Sequence, residues 1–106
     1  MDTSKIPWKK LRENIFHKHL ARDEERNFQM DLIQLKPNMR YGEHLHPDVE
    51  WVFILKGSFS DENGSYKAGD FIVNKKNSIH IVTTGQEGAE LLVFWCGTVI
   101  PSPGVD

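Results

Sequence analysis

Four residues of this chain have the types and spacing for chemistry: His44, His46, Glu50 and His80. Three imidazoles and one carboxylate suit a single divalent transition metal, with Zn, Fe, Mn and Ni as candidates. On a strand, residues two apart share a face, so His44 and His46 can offer both rings to one ion. Glu50 has the same parity, but a fully extended chain would hold it about 13 Å from His46. A metal–ligand bond is only about 2.0–2.2 Å, so the chain must turn between them. Pro47-Asp48 supplies residues for that turn. His80 is far away in sequence and needs the fold to bring it in. Asn77 in the loop before it is, after glycine, the residue type most tolerant of positive φ. Four protein ligands leave open positions on a five- or six-coordinate Fe, Mn, Ni or Co ion, whereas Zn could close at four.

The chain also holds a near-copy of the pattern. His17-Lys18-His19 is followed by Asp23, four residues after the second histidine. No apolar strand follows that carboxylate, and the run lies in the most polar third of the chain. His17 and His19 therefore read as ordinary surface histidines.

A chain of 106 residues with 39% hydrophobic and 26% charged residues fits one soluble domain with one modest core. The expected layout is a single domain over 1–106. Its barrel lies at about 28–97, with an N-terminal edge segment at 1–27 and a C-terminal tail at 98–106. A net charge of −2 and the lack of a basic stripe argue against direct nucleic-acid binding. Cys96 is the only cysteine, so no intrachain disulfide can form. It reads as a small, buried hydrophobe. The N-terminus has no apolar signal region, and no apolar run approaches ~18 residues. No membrane partner is expected, and the default location is the cytoplasm.

Signals for strands dominate from Phe28 onward. Apolar and polar residues alternate over Phe28 to Leu35, and Pro37 ends that run. Trp8 to Leu20 reads as irregular structure plus a short edge strand. Glu50 to Leu55 is apolar on both faces after its first residue, which predicts cover on both sides. Lys56-Gly57 closes that strand, and Asn63-Gly64 marks a hairpin. Phe71 to Val73 and Ile79 to Thr83 are short strands. Gly85 to Gly88 turns into Ala89 to Cys96. Many short strands with frequent turns mean a sandwich or a small closed barrel. Val52 and Ile54 share parity with Glu50 and are the pocket candidates on that strand, with Tyr41 and Met39 flanking the site. The two doubly apolar strands also favour a homodimer, because something must cover one face.

The two stretches that carry the four residues resemble the two motifs of the cupin superfamily. His44-x-His46-x3-Glu50-x6-Gly57 fits the first. Gly69 and His80 fit the second, while Lys75, Asn77 and Thr84 stand where the family has Pro, Gly and Asn. In the first motif Asn38 stands at the leading Gly, with Gly42 nearer. Gly57 to Gly69, together with Ile6-Pro7-Trp8, is similar to ChrR-type cupins. These include the C-terminal domain of ChrR anti-sigma factors and acetylacetone-dioxygenase-like enzymes. The resemblance covers roughly residues 6–97. It implies an all-β double-stranded β-helix, a jelly-roll barrel with one metal ion near its mouth. A complete ligand set on a chain too short for lids or cofactor domains points to a small-molecule or redox sensing or binding module. The alternative is a non-haem metal-dependent dioxygenase acting on a small dicarbonyl-like substrate, with Glu50 as base. A sugar isomerase finds no well-placed Lys or Arg for a phosphate, and a vestigial structural domain remains the blandest reading. An anti-sigma role in isolation is not expected, because the chain has no Cys-x-x-Cys.

Overall fold

The computed structural model describes residues 1–45, 48–96 and 100–101, with 43–45 and 100–101 described by their backbone alone. A 3-10 turn at Thr3–Lys5 leads into nine strands. They are β1 (Lys9–Arg12), β2 (Ile15–Asp23), β3 (Phe28–Leu35), β4 (Arg40–Leu45), β5 (Glu50–Asp61), β6 (Gly64–Lys67), β7 (Phe71–Asn74), β8 (Ile79–Cys96) and β9 (Ile100–Pro101). All strand pairs are antiparallel. Among the described residues, no helix is long and apolar enough to cross a membrane.

The strands form one sheet, and that sheet is open. Its hydrogen-bonded path runs β1-β2-β3-β8-β4-β9, and β5 branches from β8 to carry β6 and β7. No pairing among the described residues joins the two ends of the path. This corrects the expected double-stranded β-helix: the chain is all-β, but it is not a closed jelly-roll barrel. The reason lies in how the long strands use their edges. β8 gives one edge to β3 over Ala89–Cys96 and to β4 over Ile79–Thr83, and the other to β5. Among the described residues, the short outer strands β1, β6, β7 and β9 each find one strand partner, and none of these pairings closes the sheet.

β5 and β8 run through the places where glycines predict strand ends. β5 continues past Gly57 to Asp61, and β8 continues past Gly85 and Gly88. Both bend there instead of stopping. Register shifts between Ile54 and Lys56, and between Gly57 and Phe59, mark the bend as bulges. Gly57 has a φ of 74°, and a Cβ at that position would overlap the Gly88 carbonyl oxygen. The two strands cross this closely only because residue 57 has no side chain. The bend folds the sheet over, so that Ile33, Leu35, Val52, Ile54, Phe59, Val82, Ala89, Leu91 and Val93 meet in one core.

The segment expected to be a mere edge, residues 1–27, supplies two strands, and β2 pairs with β3 from Ile15 to Asp23. Among the described residues, nothing gives Glu50 to Leu55 the double cover predicted for it. Glu50, Val52 and Ile54 are buried, while Trp51, Phe53 and Leu55 stay exposed on the outer face. The Asn63-Gly64 hairpin forms, with Asp61 opposite Gly64.

Candidate functional site

The folded sheet lines an open cavity of about 470 Å³, within the usual size for a small-molecule site. Its walls are mainly core residues, among them Ile33, Leu35, Val52, Phe59, Val82, Leu91 and Val93. His17, Gln29, Asp31, Tyr41, Glu50, Asn74 and His80 set polar groups into that apolar lining. The turn between β1 and β2, from Leu11 to Ile15, forms one part of the wall.

Glu50 opens β5 on its inward face and is buried. β7 runs alongside with Asn74 in register, and Asn74 Nδ2 donates to Glu50 Oε1 across 2.9 Å. His80 is the second residue of β8 and is also buried. Its Nδ1 stands 3.3 Å from Asp61 Oδ2. Asp61 is held in turn: its Oδ1 accepts from the Asn63 amide at 2.8 Å and from the Tyr66 hydroxyl at 3.2 Å. Burial first, and then the Asp61 charge, push the Tyr66 phenol above its ordinary pKa, so it stays a donor. A carboxylate on Nδ1 fixes ring orientation and tautomer, which makes Nε2 the nitrogen that would bind a metal.

The backbone of His44 stands opposite His80 in the β4–β8 register. The His44 side chain, His46 and Pro47 lie outside the described residues. Glu50 and His80 are donor types that fit a divalent transition metal, and they line one cavity. Among the described residues, no group of three or more His, Cys, Asp or Glu side chains is placed to hold a metal ion.

Met39, Tyr41 and Val52 line the cavity, while Ile54 is wholly buried in the core. The Tyr41 hydroxyl donates to the Asn14 carbonyl at 2.7 Å and accepts from the Lys36 amide at 2.8 Å. This ties the β1–β2 turn to β4. Burial raises the Tyr41 pKa and keeps the phenol protonated for that role.

Three site residues escaped the sequence reading. Asn74 borders the loop before His80, and Asp61 borders the Asn63-Gly64 hairpin, so neither stood out as a site residue. Asp31 looked like the polar half of an alternating strand, yet it is 1% exposed. It accepts from Gln29 Nε2 at 2.7 Å and from Trp95 Nε1 at 3.1 Å, and its other oxygen lies 2.7 Å from His19 Nδ1. The near-copy at His17 and His19 therefore resolves differently from its spacing. His19 pairs with Asp31, His17 lines the cavity, and Asp23 binds Arg26 in a surface turn. A parity count from Ile33 and Leu35 would have turned Asp31 inward.

Solved structures share this fold. An RmlC-like cupin from Ralstonia eutropha superposes with a TM-score of 0.84 at 15% identity, covering 99% of this chain and 73% of its own. An acetylacetone dioxygenase from Acinetobacter johnsonii gives 0.79 at 12% identity, covering 93% and 74%. A chain from the Rhodobacter sphaeroides complex of SigE with the anti-sigma ChrR gives 0.76 at 18% identity, covering 89% of this chain and 50% of that one. A comparison with curated proteins found no match. The family model described as the ChrR Cupin-like domain matches residues 1–99. An all-β sheet folded over an apolar cavity, and a match along nearly its whole length, place this chain in the ChrR Cupin-like domain family of the cupin superfamily.

Proposed function

We propose that this protein binds one divalent metal ion through His44, His46, Glu50 and His80, and takes a small, mostly apolar molecule into the adjoining cavity as a sensing or binding module. The observation that carries the reading is the pairing of each described ligand with an orienting group. Asn74 holds Glu50 and Asp61 holds His80, both on the wall of one cavity. Such outer partners are what metal-binding histidines and carboxylates use. The ion would polarise an oxygen of the bound molecule. Val52, Tyr41 and Met39 would contact the molecule's apolar part. Cys96 is a poor redox group, since burial first, and then the Asp48 charge, push its thiol pKa up. The reading is tested by elemental analysis of the purified, metal-reconstituted protein. His46→Ala should lose most of the bound metal while far-UV circular dichroism stays unchanged. Stoichiometric metal in that variant would remove the assignment.

A second reading is enzymatic. The fold shared with an acetylacetone dioxygenase favours dioxygen-dependent cleavage of a small dicarbonyl compound. There Glu50 would accept the proton of an enolisable carbon. Oxygen uptake by the Fe(II)-loaded protein over a panel of small β-dicarbonyls decides between them. Uptake that vanishes in His46→Ala supports the enzyme. Ligand binding with no uptake leaves the binding module.

A further inference from the structure

We infer that His19 and Asp31 form a second polar anchor of the cavity, separate from Glu50 and His80, and that it accepts a hydrogen bond from the hydroxyl of a flat aromatic ligand. This deepens the reading of the cavity as a small-molecule site and rests on it, but it does not rest on the metal ion.

Asp31 lines the cavity although almost none of it is exposed. A carboxylate persists in an apolar wall only when donors surround it. Gln29 Nε2 and Trp95 Nε1 both donate to Oδ2, which leaves Oδ1 to His19 Nδ1 at 2.7 Å. One oxygen thus holds the wall together, and the other directs a histidine. His19 stands opposite Asp31 and His17 opposite Ile33 in an unbroken stretch of the β2–β3 register. The two histidines therefore share a face, and His17 lines the cavity. The β1–β2 pairing reaches only to His17, so among the described residues no strand flanks His19 on that edge. Its side chain is 49% exposed. The imidazole thus stands at the cavity rim with Nδ1 committed to a buried carboxylate. A neutral ring that gives its Nδ1 proton away in this manner presents Nε2 as an acceptor.

The surroundings select the ligand. Asp31 faces Val93 and Glu50 faces Trp95, on the two edges of β8. From strand spacing and rise per residue, their Cα atoms lie about 12 Å apart along the sheet. Trp95, Val93 and Val52 stand between them on the cavity wall. The Trp95 indole is fixed there by its bond to Asp31, and a flat aromatic body suits that stretch. A hydroxyl at its end meets His19 Nε2. A carboxylate in the same place would meet the Asp31 charge behind the imidazole, so the anchor prefers a neutral donor to an anion.

The test is calorimetric titration of the full chain with naphthol and with its methyl ether, which keeps the oxygen but has no proton to donate. At about pH 8 an ordinary imidazole is neutral. The wild-type protein should bind naphthol about 5–10-fold more tightly than the ether. In His19→Ala that ratio should fall to about one. Asp31→Asn gives a sharper readout. Its amide oxygen can keep the Trp95 and Gln29 donors while its amide nitrogen donates to His19 Nδ1, which moves the ring proton to Nε2. The preference for naphthol should then vanish or reverse. A purely structural pair would lower stability in these variants and leave the ratio unchanged, which overturns the proposal. A wild-type ratio of about one also overturns it. Should Asp31→Asn not fold, the half-exposed His19→Ala carries the test. Binding of neither compound overturns both this inference and the cavity reading. The ratios should shift with and without bound metal, and metal content is measured on the same samples, so failure of the anchor and failure of the metal reading are distinguishable.

Discussion

Trp95 Nε1 donates to Asp31 Oδ2 across 3.1 Å, and the same Trp95 stands in register with Glu50 on the adjoining strand. The buried carboxylate on β3 thus fixes an aromatic wall beside the first residue of β5.

Replacing Asp31 by Ala should therefore cost about 2–4 kcal/mol, because it leaves the Trp95 and Gln29 donors without their buried acceptor. Urea denaturation followed by circular dichroism measures it. A loss below about 1 kcal/mol would mean that water replaces the carboxylate without penalty.

Gly57→Val should be among the most damaging single changes. The φ of 74° is strained for a β-branched residue, and the new Cβ would overlap the Gly88 carbonyl. A loss of about 2–3 kcal/mol or more is expected in the same denaturation assay. Gly64→Ala, where nothing lies within 4 Å of the added carbon, serves as the control for backbone strain alone.

Asp61→Asn should weaken metal binding by about 10–100-fold while keeping the fold, since it removes the charge behind His80 Nδ1. A competition titration against a chromophoric chelator reads the affinity. An unchanged affinity would show that His80 is not a ligand held by Asp61.

The Asp23 carboxyl is held below its ordinary pKa, first by the Arg26 backbone N–H and then by the Arg26 guanidinium. A depressed folded-state pKa adds stability above the unfolded value, and that stability fades as pH falls through the folded value. In a carboxyl NMR titration Asp23 should titrate below an unstructured aspartate. Arg26→Ala should move it only part of the way back, because the backbone donor remains.

Cys96 should react slowly with thiol reagents at neutral pH. Burial raises its pKa, so little thiolate is present to attack. Labelling at the rate of a free cysteine would contradict this.

How much of this was legible beforehand follows from what sequence patterns encode. Alternation found the strands but not their inward side. Phe28, Met30 and Leu32 are as apolar as Ile33 and Leu35, yet it is Asp31 that lies inside, because Gln29, His19 and Trp95 satisfy it. Glycine signals correctly located the disturbances at 57 and 85–88, but a bend and a turn use the same residue. The open sheet could not be read at all. Closure depends on which edges find partners, and that is a property of the whole topology. The cavity positions of Glu50 and His80 were accessible through parity and motif spacing. Asn74 and Asp61 were not, because they act on those residues across strands rather than along the chain.

The 18-residue β8 also dictates when this protein can fold. It is the common neighbour of β3, β4 and β5, and residues 79–96 leave the ribosome after all three. Until then those strands present unpaired edges and apolar faces to one another and to other chains. Folding must wait for one late segment and then proceed through distant pairings, which makes it slow for a chain of this size. The nascent chain is thus at its most aggregation-prone just before β8 emerges, and a chaperone would do most good in that interval.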